Sequence, residues 1–174
     1  MGEVLWDLLP GGRQLGGAPA NFAYHAQSLG AQARVFTRSW TMADVLKLND
    51  QELPVLAQLF TLTGSEKRQL EQLAARFDLQ LVALTRGGQG SLLHQAGNWS
   101  ERGTEWVEIL DTVGAGDAFT AALTMGRLGR MKLEHRHALA AELAGYLCTQ
   151  AGATPPLPDR FRAAFAPLTV KTNA

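Results

Sequence analysis

The sequence predicts an α/β protein with a substantially parallel sheet, and three observations carry that expectation. Apolar runs of strand length alternate with runs of helical character, the order of a layered α/β architecture. The 174 residues are 46% hydrophobic and 18% charged, which supplies a core and argues against disorder. Glycine and proline fall at the joints between these runs, as at Pro10-Gly11-Gly12, Gly30 and Pro155-Pro156.

Taken in order, Val4 to Leu9 reads as a buried strand closed by Pro10-Gly11-Gly12. Gly16-Gly17 lead into a helix that starts near Pro19, which suits a first turn, and ends at Gly30, which suits the position just past a helix. Ala33 to Thr37 and Val45 to Leu48 read as strands. Asn49-Asp50-Gln51-Glu52 opens a helix through Phe60, and Ser65 caps a more polar helix through Phe77. Leu79 to Thr85 is a buried strand, Arg86 to Gly90 a turn, and Ser91 to His94 its hairpin partner. Trp106 to Leu110 is the last expected strand. Helices follow at Asp117–Leu128 and Leu133–Gln150, the second ended by Gly152 and Pro155-Pro156. One stretch resists this reading: Ser39-Trp40-Thr41-Met42 joins two units with none of the usual turn residues.

Composition excludes several classes of function. Sixteen basic residues balance sixteen acidic ones, so no overall charge drives binding to nucleic acid or anionic membrane. No apolar run approaches the roughly 20 residues of a membrane span, and Met1 to Asp7 lacks the apolar core of a signal peptide. The lone Cys148 forms no internal disulfide, so a reducing, cytoplasmic setting is expected. His135 and His137 do not share a helical face, and His25, His94 and Cys148 complete no ligand set for a structural metal. Walker A and G-x-S-x-G sequences are absent.

The motif with most chemical content is Asp111-Thr112-Val113-Gly114-Ala115-Gly116-Asp117-Ala118-Phe119, between an expected strand and an expected helix. Small residues at 114–116 let backbone N–H groups converge at a helix N-terminus, where the dipole favours an anion. Asp117 at the edge of that nest suits a base that takes a proton from an attacking hydroxyl, while the nest holds charge on a transferred phosphoryl group. The plainer reading makes Asp117 an N-cap and the glycines a turn. Asn49-x-x-Glu52 has the spacing of a capping box, the reading preferred for the motif alone; the functional alternative is a pair that organises water around Mg²⁺. Thr85 to Gly90 is either a bare turn or a place where backbone approaches a nucleotide. Asn21, behind Gly16-Gly17, suits hydrogen bonds to hydroxyls of a small polar ligand. Asp7 could hold sugar hydroxyls or simply face solvent.

In this order the motifs resemble the ribokinase-like (PfkB) family of carbohydrate kinases, and its fructokinase branch in particular. Gly2 to Asp7 is similar to that branch's first strand, whose Asp contacts the sugar. Gly16-Gly17-Ala18-Pro19-Ala20-Asn21 is similar to its sugar-binding signature, which implies Asp7, Gly16, Gly17 and Asn21 as substrate-binding residues. Lys47 to Glu52 matches an N-x-x-E element, implying Asn49 and Glu52 around Mg²⁺ and phosphate. Thr85, Gly87 and Gly90 match a nucleotide-side loop, and Gly152-Ala153-Thr154 resembles a segment that closes over the nucleotide. The C-terminal signature implies Asp117 as catalytic base, Gly114, Ala115 and Gly116 as anion hole, and Asp111 and Thr112 beside a monovalent cation such as K⁺. The resemblance therefore implies a three-layer ribokinase-like fold, ATP and Mg²⁺ as cofactors, and a sugar, fructose first, as substrate.

The sequence also departs from that pattern. Family members run to roughly twice this length, with far more chain between the sugar signature and N-x-x-E than separates Asn21 from Asn49. An internal deletion at residues 39–42 is expected, leaving a sugar-side part (1–38) and a nucleotide-side part (43–174) of one shortened domain without the family's β lid. The N-terminus also reads as clipped. Without a lid, water is poorly excluded and sugar affinity falls. Strands that lose neighbours become edges, which favour a homodimer or aggregation. The readings left open are a shortened sugar kinase, an inactive remnant that binds nucleotide through residues 85–117, and a fragment whose motifs survive only as turns and caps.

Overall fold

The computed structural model describes residues 5–9, 12–16, 18–30, 45–104 and 107–166, with residues 5–9, 12–16, 18–20 and 23 described by backbone. The expected strand Ala33–Thr37 and the joint at 39–42 lie outside the described residues. Two compact units result, one from Met1–Ser39 with Glu105–Ala174 and one from Trp40–Thr104.

In the Trp40–Thr104 unit, β3 (Val45–Asn49), β4 (Leu81–Thr85), β5 (Ser91–Gln95) and β6 (Asn98–Arg102) form a sheet in that order. β3 and β4 are parallel, joined through α2 (Glu52–Phe60) and α3 (Glu66–Arg76). Ser65 caps α3 as expected, its hydroxyl accepting the Arg68 amide at 3.4 Å. Alternate residues divide the strands between faces. Leu48, Val82, Leu84 and Leu92 meet Leu53 of α2 and Leu70 and Leu73 of α3 in one buried cluster. Each such leucine contributes about 1.5–3 kcal/mol by leaving water. Leu81, Ala83 and Leu93 are buried on the opposite face, so β4 is apolar and buried on both faces from Leu81 to Leu84.

The mainly parallel sheet anticipated from the sequence is, over the described residues, a mixed one, because β4–β5 and β5–β6 pair antiparallel. Their short connections allow only that arrangement. The β5–β6 turn is Ala96-Gly97, both at positive φ (48° and 80°), the twist that a two-residue hairpin favours. β6 was not expected, since Asn98-Trp99-Ser100-Glu101-Arg102 is largely polar. The strand expected at Trp106–Leu110 is absent from residues 107–110, where Ile109 and Leu110 are exposed. The Leu110 and Asp111 amides donate to the Cys148 carbonyl instead, at 2.8 and 3.3 Å.

In the other unit, β1 (Leu5–Leu9) pairs antiparallel with β2 (Gly12–Gly16), a strand that its glycines concealed in the sequence. α1 (Ala18–Ser28) ends before Gly30, whose φ of 99° is the left-handed stop expected there. Asn21, His25 and Ala26 form its buried face, continued by Leu29 just past its end, and α1 packs on α4 (Ala115–Leu128). α4 in turn packs on α5 (Leu133–Cys148), which ends slightly before the expected Gln150. α6 (Asp159–Phe165) was not expected; Pro158 precedes it, and Phe161 and Phe165, one turn apart, are both buried. Among the described residues, no helix is long and apolar enough to cross a membrane.

Candidate active site

The start of α4 is built as the glycine-rich string suggests. Gly114 takes φ 79°, a left-handed conformation that turns the chain into the helix. A Cβ there would lie 2.5 Å from the Ala153 carbonyl oxygen and 2.8 Å from the Ala153 Cα, so the two backbones touch in a way only glycine permits. Ala115 N donates to Thr112 O at 3.3 Å and Ala118 N to Gly114 O at 2.9 Å. Gly116 and Asp117 occupy the first turn, whose amides have no carbonyl partner within a helix and present partial positive charge.

Asn21 and Asp117, 96 residues apart, meet here: Asn21 Nδ2 donates to Asp117 Oδ2 at 3.0 Å. Asn21 is 4% exposed, and its Oδ1 is buried without a hydrogen-bond partner. A buried acceptor left so costs about 1–3 kcal/mol, a cost that a donated ligand hydroxyl would remove. The orphaned oxygen therefore fits a polyol beside the Asp117 carboxylate.

A strap of residues 152–155 passes from this helix start, at Gly152 and Ala153, to Tyr24 of α1, at Pro155. Asp111 Oδ1 accepts the Val113 amide and Oδ2 the Gly152 amide, both at 3.0 Å. These backbone bonds, Val113 foremost, hold the Asp111 carboxyl below the usual carboxylate range. His25 Nε2 lies 2.9 Å from Ala153 O, and Tyr24 donates its hydroxyl to Pro155 O at 3.2 Å. Burial pushes the His25 imidazole down from its ordinary value. Neither His25 nor Tyr24 stood out in the sequence, where only their helical spacing from Asn21 could have drawn notice. Asp7 and Gly16 lie on β1 and β2, in the backbone pairs Asp7–Gln14 and Leu5–Gly16. Gly17 is outside the described residues.

The Trp40–Thr104 unit carries its own set. Asn49 and Thr85 are register partners at the carboxyl ends of parallel β3 and β4, the edge where such sheets bind ligands. Asn49 and Glu52 form a reciprocal capping box. Asn49 Oδ1 accepts the Gln51 and Glu52 amides at 3.0 and 2.8 Å, and Glu52 Oε2 accepts the Asn49 amide at 2.7 Å. Asn49 is half-buried and Glu52 exposed, and the pair is locally bonded, so its geometry alone is that of a cap. Gly87–Gln89 is a single 3-10 turn closed by Arg86 N to Gly90 O at 2.7 Å. Gly90 sits at φ 92°, and a Cβ there would overlap the Arg102 carbonyl oxygen. Arg86 bridges Glu66 and Glu101 at 3.4 and 3.0 Å, which ties this loop to α3 and β6. Among the described residues, no group of three or more acidic, histidine or cysteine side chains is arranged to hold a metal by itself. A cation that shares its shell with phosphates and water needs fewer protein ligands, and the exposed Glu52 fits that role.

Residues 35–160 match the pfkB family carbohydrate kinase. The chain is 33% identical over 127 residues to a fructokinase from Klebsiella pneumoniae, covering 70% of this chain and 40% of that protein. It is 34% identical over 118 residues to an ATP-dependent ribose-1-phosphate kinase from Halopiger xanaduensis, covering 64% and 36%. Among solved structures, it is similar to an adenosine kinase from Sinorhizobium meliloti, with a TM-score of 0.59 and 30% identity over 70% of this chain and 35% of that one. A ribokinase from Thermotoga maritima matches with a TM-score of 0.61 at 23% identity, over 71% and 42%, a likeness of fold. The chain thus spans less than half the length of each of these proteins.

Proposed function

Because the chain belongs to the PfkB family of carbohydrate kinases, we propose that it transfers the γ-phosphoryl group of ATP to a sugar hydroxyl, with fructose as the sugar. The observation that carries this reading is the Asn21–Asp117 pair, which sets a carboxylate and an orphaned acceptor together at the start of α4. Asn21 fixes the orientation of the Asp117 carboxylate and offers Oδ1 to one sugar hydroxyl. Asp117 accepts the proton of a second hydroxyl as that oxygen bonds to phosphorus and the bond to the ADP oxygen breaks. The Gly114, Ala115 and Gly116 backbone holds the charge on the transferred group. Glu52, with Asn49, would hold the water shell of Mg²⁺, which would supply neutralisation of phosphate charge.

Thr85, Gly87, Gly90 and Gly152 would line the nucleotide, and Asp7, Gly16 and Gly17 the sugar. Asp111 and Thr112 would offer their remaining lone pairs to K⁺. In this reading residues 1–38 and 43–174 serve as the sugar and nucleotide sides of one shortened domain. It works in the cytoplasm and pairs as a homodimer. The second reading is a nucleotide-binding remnant without turnover, held through residues 85–117; the exposed turn at Gly87–Gln89, beside the carboxyl end of β4, would serve it without Asp117.

ADP formation from Mg²⁺-ATP, with and without fructose, tests the proposal beside Asp117→Ala. Fructose-stimulated turnover should fall roughly a hundredfold to ten-thousandfold in the variant. Nucleotide binding without turnover in either protein would leave the remnant, and absence of both from a folded sample would remove both readings.

A further inference from the structure

α1 reaches the start of α4 in two ways, one direct and one through Ala153. Asn21 reaches Asp117 directly. His25, one turn further along the same buried face, reaches Ala153 O, and Ala153 is the residue against which Gly114 packs without room for a Cβ.

We propose that His25 is a positioning residue for the phosphoryl-transfer site, acting through the Ala153 carbonyl to fix Gly114 relative to Asp117. The proposal rests on the reading of Gly114–Asp117 given above. Its chemistry follows from the partner. A carbonyl oxygen only accepts, so His25 Nε2 carries the hydrogen and the neutral ring leaves Nδ1 as a bare acceptor. Nδ1 is buried with no partner, and His25 is 0% exposed. An imidazolium would place a second N–H in that unpartnered position, so the site selects the neutral ring with hydrogen on Nε2. The other strap bonds, Asp111 to Gly152 and Tyr24 to Pro155, flank Ala153 on either side. His25 is the side chain that grips the carbonyl lying against Gly114. A residue that merely filled the core could be replaced by leucine without consequence for the glycine turn.

The test combines ring ¹⁵N NMR of His25 in the full chain with the variants His25→Leu and His25→Gln, the second of which keeps a donor near the Nε2 position. The neutral ring protonated on Nε2 is expected at pH 7; hydrogen on Nδ1 would overturn the proposal without need of a variant. His25→Leu should move the amide resonances of Gly114, Ala115 and Gly116. It should also lower kcat at least tenfold, with KM for ATP and fructose within about twofold. His25→Gln should restore most of both. If His25→Leu lowers Tm yet leaves those resonances and kcat unchanged, His25 is a core residue and the proposal is wrong. If His25→Leu does not fold, the ring tautomer and the resonances of His25→Gln decide. A wild-type chain without turnover would defeat the kinase reading, while the resonances would still decide the role of His25.

Discussion

The candidate site residues of the two units include side chains that bond over very different distances. In the Trp40–Thr104 unit, Asn49 bonds to residues two and three positions away, Ser65 to one three away, and all of these bonds are exposed. In the other unit, Asn21, His25 and Tyr24 bond to groups 96, 128 and 131 positions away, and Asn21 and His25 are buried. A local cap forms as soon as its own turn does and reports little beyond that turn. A buried bond across a hundred residues exists only when the fold holds both partners, and each unpartnered atom beside it is a standing cost. Asn21 Oδ1 and His25 Nδ1 are two such atoms on one helix face. On the proposed reading, the difference separates residues that shape a local turn from residues that hold the site together.

Substitution at two left-handed glycines sharpens that contrast most. Gly114→Ala adds a Cβ against Ala153 at φ 79°, and strain at such a position costs about 1–3 kcal/mol. Displacement of the helix start should also lower turnover by roughly a hundredfold or more. Gly87→Ala, at φ 52° with nothing within 4 Å of the added carbon, should cost only about 1 kcal/mol and leave kcat within a few-fold. Urea denaturation and steady-state kinetics on the pair measure both effects. Equal losses would mean that the start of α4 has no special role.

A smaller effect separates the two uses of Glu52. Glu52→Ala breaks the capping box and should lower stability by about 0.5–1 kcal/mol. Glu52→Gln keeps a side chain that serves the box and should leave Tm nearly unchanged. If Glu52 also organises the shell of Mg²⁺, Glu52→Gln should raise the Mg²⁺ concentration needed for half-maximal turnover. An unchanged Mg²⁺ requirement would confine Glu52 to capping.

What the sequence discloses follows the same division. The start of α4 is legible because its glycines, its small residues and Asp117 are contiguous, and each constrains a backbone within one turn. The capping box is legible for the same reason. β6 escaped because Trp99 is the only large apolar residue in a strand otherwise polar, and its signal lies in the Ala96-Gly97 turn before it. The expected strand at 106–110 misled because an apolar run is not by itself a buried one, as Ile109 and Leu110 demonstrate at 64% and 67% exposure. His25 was legible only as a histidine on a helix. Its partner is 128 residues away, a separation over which sequence pattern carries no information.

The central claim is that the start of α4 holds the transferred phosphoryl group, and titration of the ¹⁵N-labelled chain with inorganic phosphate tests it most directly. The account predicts saturable shifts of the Ala115, Gly116 and Asp117 amides, lost in Gly114→Ala and absent at Asn49–Glu52. Shifts confined to other parts of a folded chain, with 115–117 unmoved, would contradict it.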